Sequence, residues 1–140
     1  MQDSPKRWTL VYVDGQKFKK AVASLPQPVQ VVLKVALEEL LEIHGIDLAS
    51  EPWLKPLGKG LWEFRVGPTT SAVMSRAAVF DSSAEPHMKT LLRIFCAFEG
   101  QRIVVVLSMY DKGANDSKTE QQRHIESARR LLKDFKKLEK

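Results

Sequence analysis

The feature that most constrains this chain is Ile103-Val104-Val105-Val106-Leu107, five apolar residues with no polar position among them. Four of the five are β-branched, which favours an extended strand. Successive side chains of a strand point to opposite faces, so a run that is apolar at every position needs cover on both. Such a strand belongs inside a sheet with a layer above it and a layer below.

The rest of the chain can be arranged around that strand. Arg102 to Tyr110 is its full extent, Glu99-Gly100-Gln101 a hairpin turn, and Leu91 to Phe98 the strand before it. Trp8 to Val13 is an opening strand that ends at the turn signal Asp14-Gly15. Phe18, Ala21, Val22 and Leu25 recur at helical spacing over Lys17 to Leu25, and Pro26 stops that helix. Pro28 suits the first turn of a longer helix that runs to about His44. Its buried face is Val32, Val35, Ala36, Leu40 and Ile43, and Gly45 ends it. Ile46 to Gly60, with two prolines and two glycines, reads as irregular. Leu61 to Val66 alternates as a half-buried strand, with Trp62, Phe64 and Val66 on one face and Leu61, Glu63 and Arg65 on a charged one.

Residues 67–88 read as an insertion or mobile loop, within which Ala72 to Phe80 can also form a strand. After a polar loop from Asp111 to Lys118, a last helix starts near Ser117 or Thr119, each three residues before a Glu or Gln at capping-box spacing. Its apolar stripe is Ile125, Ala128, Leu131, Leu132, Phe135 and Leu138. No repeat or linker divides residues 1–140, which read as one domain. The fold class is α+β: N-terminal helices, a mostly antiparallel twisted β-sheet and a C-terminal helix.

Several chemistries lack their residues. The single Cys96 cannot make an internal disulfide or a thiolate cluster, and reads as a small buried hydrophobe. His44, His87 and His124 are scattered without a ligand motif, and His124 reads as a surface or helix-contact residue. A glycine-rich phosphate loop and a serine nucleophile elbow are both missing. No metal and no cofactor are therefore expected. The polar start Met1 to Arg7 and the shortness of the apolar runs point to a cytoplasmic protein without a membrane partner.

The net charge is +5, and residues 101–140 carry a surplus of four, with ten Lys or Arg against six Asp or Glu. That balance suits a polyanion. Arg129, Arg130, Lys133, Lys136, Lys137 and Lys140 on the last helix fit either a solvated face or a polyanion contact. More informative are the isolated cations Lys55, Lys59, Arg65, Arg93 and Lys112. Arg65 and Arg93 interrupt apolar strands, where a charge must reach solvent, pair with a carboxylate or line a concave site. Glu63 and Glu85 are available to Arg65, whereas a partner for Arg93 is less obvious. Tyr110, at the end of the central strand, is placed either to pack at the sheet edge or to stack on a base and exchange a proton. Arg, Lys and Tyr suffice for metal-free RNA cleavage, which needs a base for the 2′-hydroxyl, cations for the phosphorane charge and an acid for the leaving 5′-oxygen.

The stretch Trp53-Leu54-Lys55-Pro56-Leu57-Gly58-Lys59-Gly60-Leu61-Trp62-Glu63-Phe64-Arg65-Val66 resembles the "K-x-L…G-L-W-E-x-R" phrase of the HigB group in the RelE/ParE toxin superfamily. Arg93-Ile94-Phe95 is similar to that group's "R-I-F/Y" strand, and Val104 to Lys112 to its hydrophobic strand ending in an aromatic and a lysine. Lys118-Thr119-Glu120 and His124-Ile125-Glu126-Ser127-Ala128 are similar to its closing helix, without the usual proline at the helix start. The resemblance spans about Trp8 to Leu138. It implies a RelE-like fold and a cytoplasmic toxin that cleaves mRNA on the ribosome. It also implies a cognate antitoxin, often with a helix-turn-helix domain. It places Arg65, Arg93, Tyr110 and Lys112 as catalytic residues and Lys55, Lys59, Lys118 and Arg123 as RNA contacts. The same scaffold poisons DNA gyrase in other branches, and a non-toxic binding protein derived from a mobile element is a further alternative. Residues 67–88 are longer than the usual hairpin at that point.

Overall fold

The computed structural model describes residues 7–50, 53–66, 92–112 and 117–138. The expected insertion at 67–88 and the possible strand at Ala72 to Phe80 lie outside the described residues. The five strands are β1 (Thr9–Tyr12), β2 (Leu54–Gly58), β3 (Leu61–Val66), β4 (Leu92–Glu99) and β5 (Ile103–Asp111), in one sheet of order β1-β5-β4-β3-β2. β1 joins β5 in parallel, and the other three pairings are antiparallel. With N-terminal helices and a C-terminal helix, this is a mixed α+β fold.

Helix α1 (Gly15–Ala23) begins at Asp14, whose side chain accepts from the Lys17 backbone N–H at 3.0 Å, so the turn signal read from Asp14-Gly15 is an N-cap. Helix α2 (Gln27–Val35) carries Pro28 in its first turn. It runs on through a π-helical segment, Ala36–Leu41, and a last α-turn, α3 (Glu42–His44). The wider π turn brings the neighbours Leu40 and Leu41 both into the core. The α-helical path stops at His44 with Gly45 as its C-cap, as expected, and a 3₁₀ segment, Gly45–Ser50, follows. Gly45 itself has φ +51, and a Cβ there would lie 2.1 Å from the Trp8 ring. Only glycine lets Trp8 lie against this turn, where its backbone N–H donates to the Glu42 carbonyl.

β2 corrects the expectation of irregular chain from Ile46 to Gly60. Pro56 lowers its strand signal, but β2 is an edge strand, where a missing N–H is tolerated. The charged face expected of β3 is also covered: Glu63 is 1% exposed.

The double cover expected of Ile103 to Leu107 is present. On one face Val104 and Val106 join Phe64, Val66, Ile94 and Cys96 beneath Val32, Leu33, Leu37 and Leu41 of the N-terminal helices. On the other, Val105 and Leu107 join Leu61, Phe95 and Ala97 beneath Ala128 and Leu132 of α4 (Lys118–Leu138). Of the two capping signals read at the start of α4, the one at Ser117 supplies an N-cap, its hydroxyl accepting from the Glu120 backbone N–H at 3.1 Å. No helix among the described residues is long and apolar enough to cross a membrane.

Candidate functional site

One irregularity decides which side chains meet. Phe95 pairs with Ser108 but Cys96 pairs with Val106, so Leu107 is an extra residue, a β-bulge on β5. A bulge reverses the alternation beyond it. Val104 and Val106 face the N-terminal helices, and strict alternation would send Tyr110 the same way. Instead Met109 packs on that side, and Tyr110 falls on the α4 face with Leu107.

The shift completes two cross-strand rows on the α4 face, since residues directly opposite in antiparallel strands share a face. The first is Lys55–Glu63–Phe95–Ser108 across β2, β3, β4 and β5. The second is Arg65–Arg93–Tyr110 across β3, β4 and β5. With neighbouring strands about 4.8 Å apart, Arg65 and Tyr110 sit on the order of 10 Å from each other with Arg93 between them.

Glu63 ties the rows together. Its Oε1 accepts from Arg65 Nε at 3.1 Å and lies 3.7 Å from Arg93 Nε. The pairing of Arg65 with Glu63 foreseen in the sequence is therefore real, and Arg93 shares the same carboxylate. Two guanidiniums thus share one buried carboxylate. The two arginines are not equally accessible: the side chain of Arg65 is 39% exposed and that of Arg93 10%. Arg93 also donates from Nη1 to the Leu92 carbonyl at 3.1 Å, which fixes its plane.

Tyr110 lies in a stack. Its ring is nearly parallel to Phe95 on one side, with centroids 5.9 Å apart, and to His124 on the other at 4.4 Å. His124 comes from α4, four residues before the first buried residue of that helix, Ala128, and its Nε2 is 3.9 Å from Glu120 Oε2. Sequence reading missed this histidine, because it is joined to the strand residues only through the packing of α4. It also missed Glu63 as the hub of both arginines. The alternation of Leu61, Glu63 and Arg65 was the available signal, since it places Glu63 and Arg65 on one face.

The remaining predicted residues are spread around this centre. Lys112 is half-buried, one residue past the end of β5 beyond Tyr110. Lys55 is exposed at the β2 edge, opposite Glu63. Lys118 and Arg123 are exposed on the first turns of α4, where with Thr119, Gln122 and Glu126 they border an open hollow, and Arg123 pairs with Glu120 at 3.1 Å. Lys59 lies apart from the rows, in the β2–β3 turn. A cavity of about 450 Å³ opens beside β1 among Leu10, Tyr12, Val31, Leu37, Glu38 and Glu42, and none of the predicted site residues lines it. There burial, and then Glu42 and Glu38, push the Tyr12 phenol above its ordinary pKa.

Chemically, the centre offers fixed cations with one guanidinium open to solvent, and an imidazole that a buried tyrosine holds beside a carboxylate. Such a set can hold a phosphodiester and move a proton. Among the described residues no three His, Cys, Asp or Glu side chains converge as a metal site. No protein-family model and no curated protein matches the chain.

Proposed function

We propose that this protein is a RelE-like, metal-independent endoribonuclease, the toxin of a type II toxin–antitoxin pair, acting on translated mRNA at the ribosome. The observation that carries the reading is the row Arg65–Arg93–Tyr110 with His124 stacked on its tyrosine end. The resemblance of the Trp53 to Val66 stretch to HigB toxins supports it from the sequence side.

In this reading Arg65 holds the scissile phosphate and neutralises the phosphorane as it forms. Arg93, mostly buried, holds Glu63 and so aims Arg65. Tyr110, buried between the rings of Phe95 and His124, holds the imidazole in place over the row. His124, with Glu120 beside its Nε2, takes the proton of the 2′-hydroxyl as that oxygen attacks phosphorus. The bond from phosphorus to the 5′-oxygen breaks, and the leaving oxygen takes its proton from water. The products are a 2′,3′-cyclic phosphate and a 5′-hydroxyl end. Lys112 neutralises a neighbouring phosphate, and Lys55, Lys118 and Arg123 line the approach. The antitoxin is a small protein with a helix-turn-helix domain.

The test is induction of the wild type beside Arg65→Ala and Arg93→Ala, with growth followed and transcript 5′-ends mapped. New ends inside translated messages, lost in both variants, are expected. Arrested growth with intact transcripts would replace this reading with a gyrase-type inhibitor, and harmless expression would leave a binding protein.

A further inference from the structure

Helix α4 links the catalytic row to a second feature of the same face. His124 stands over Tyr110 near the start of the helix, and Lys136 stands near Gly60 toward its end. Twelve residues of helix separate them, about 18 Å along the axis. At that far end a cavity of about 400 Å³ lies between α4 and the β2–β3 turn, lined by Lys59, Arg129, Leu132, Lys133 and Lys136. Four of its five lining residues are cations and none is acidic.

The cavity is held in shape by its own residues. The Arg129 guanidinium donates to the carbonyls of Leu57 and Gly58, which clamps the turn to the helix and keeps a charge at the cavity wall. Those bonds occupy only part of the guanidinium's donor fork. Lys133 and Lys136 stand four and seven residues after Arg129, on one face of the helix. Across from them, Gly58, Lys59 and Gly60 have φ of +92, +56 and +83. Lysine is a poor residue for the left-handed region, where glycine or asparagine is at ease. The turn thus accepts backbone strain at Lys59 and adds a fourth cation to the lining of the cavity. Mutual repulsion of four cations costs free energy that an anion would return.

We propose that this cavity is an anchor for the phosphodiester backbone of single-stranded RNA, gripping the strand a short distance from the bond held at Arg65. The inference rests on the RNA reading of the catalytic row. It adds a second binding site with a separate role: the row acts on one linkage, and the anchor reads backbone charge without regard to base.

The experiment measures binding of a fluorescein-labelled 2′-O-methyl oligo(U), which cannot be cleaved, across a salt series. Lys133→Glu/Lys136→Glu is compared with wild type and with Lys19→Glu/Lys20→Glu, which changes net charge equally on exposed residues of α1. Circular dichroism checks that each protein is folded. For the anchor variant, affinity at low salt should fall by about tenfold or more, and the slope of log K against log salt should shrink by about 1.4, two contacts on a single strand. The α1 variant should lose much less. An unchanged slope in the anchor variant, or an equal loss in the α1 variant, would overturn the proposal. Because the probe cannot be cut, RNA binding that depends on Lys133 and Lys136 in a protein that cleaves no message would sink the nuclease reading and leave the anchor standing.

Discussion

On the helix-covered face of the sheet, the one beneath the N-terminal helices, Phe64, Val66, Ile94, Cys96, Val104 and Val106 pack against Leu33, Leu37 and Leu41, and all of these are buried and apolar. On the α4 face the same strands present Glu63, Arg93, Ser108 and Tyr110 among a smaller apolar set, with Arg65 half-open to solvent. Among the described residues, Glu63 Oε2 and Ser108 Oγ are buried there without hydrogen-bond partners, and so is Trp8 Nε1 on the opposite face. An unsatisfied buried polar atom costs on the order of 1–3 kcal/mol. The helix-covered face therefore carries the stability that lets the other face keep polar groups a purely structural core would discard.

The comparison breaks most sharply at Gly45. A methyl group there meets Trp8 and occupies a backbone region that suits only glycine. Gly45→Ala should cost about 3–4 kcal/mol, from strain and overpacking together. Thermal or urea unfolding measures it, and a loss under about 1 kcal/mol would mean that Trp8 is not held there.

On the other face, Glu63→Gln strips two arginines of their shared counter-charge and should cost about 3 kcal/mol. Replacing both members of the buried pair, Glu63→Leu with Arg93→Met, should recover most of that stability while RNA cleavage stays lost. If cleavage survives in the double variant, the ion cluster is only structural.

Cys96 gives the helix-covered face a pH signature. Burial pushes its thiol from an ordinary value of 9.0 up to about 12. The unfolded chain then releases this proton first, so the thiol's contribution is intact below pH 9 and is lost as pH rises toward 12. The expected slope is about 1.4 kcal/mol per pH unit. Cys96→Ala should flatten that limb of the stability curve, and an unchanged limb would show that the thiol is not buried in solution.

The smallest effect has the opposite sign. Lys59→Gly relieves a left-handed lysine and should raise stability by up to about 1 kcal/mol while weakening RNA binding. A variant that gains stability and keeps full affinity would remove Lys59 from the anchor.

How much of this was legible in the sequence depended on how local the signal was. The run Ile103 to Leu107 announced two covered faces, because strand alternation needs no knowledge of the partner strand. The stripe of α4 and its cap at Ser117 were equally local. β2 was hidden by Pro56, whose missing N–H is harmless only at an edge, and edge position is a property of the sheet. The bulge at Leu107 is set by pairing register with β4, so the side on which Tyr110 falls could not be read from β5 alone. His124 failed for the same reason: its spacing places it on a helix, and only the docking of that helix brings it to Tyr110. Arg65 and Arg93 were found because a charge in an apolar strand is conspicuous locally. That Glu63 serves both needed the cross-strand register.

The parallel pairing of Thr9 with Ile103 ties β1 to β5, the first of the described strands to the last. A contact of such long sequence separation must bear its loop-closure entropy before it gains any hydrogen bond, which slows folding. During synthesis β1 must wait for β5 to leave the ribosome, and the helix bearing His124 emerges later still. The residue that α4 brings to the proposed catalytic centre is thus added only after β5, so the centre takes shape only once α4 has emerged and docked.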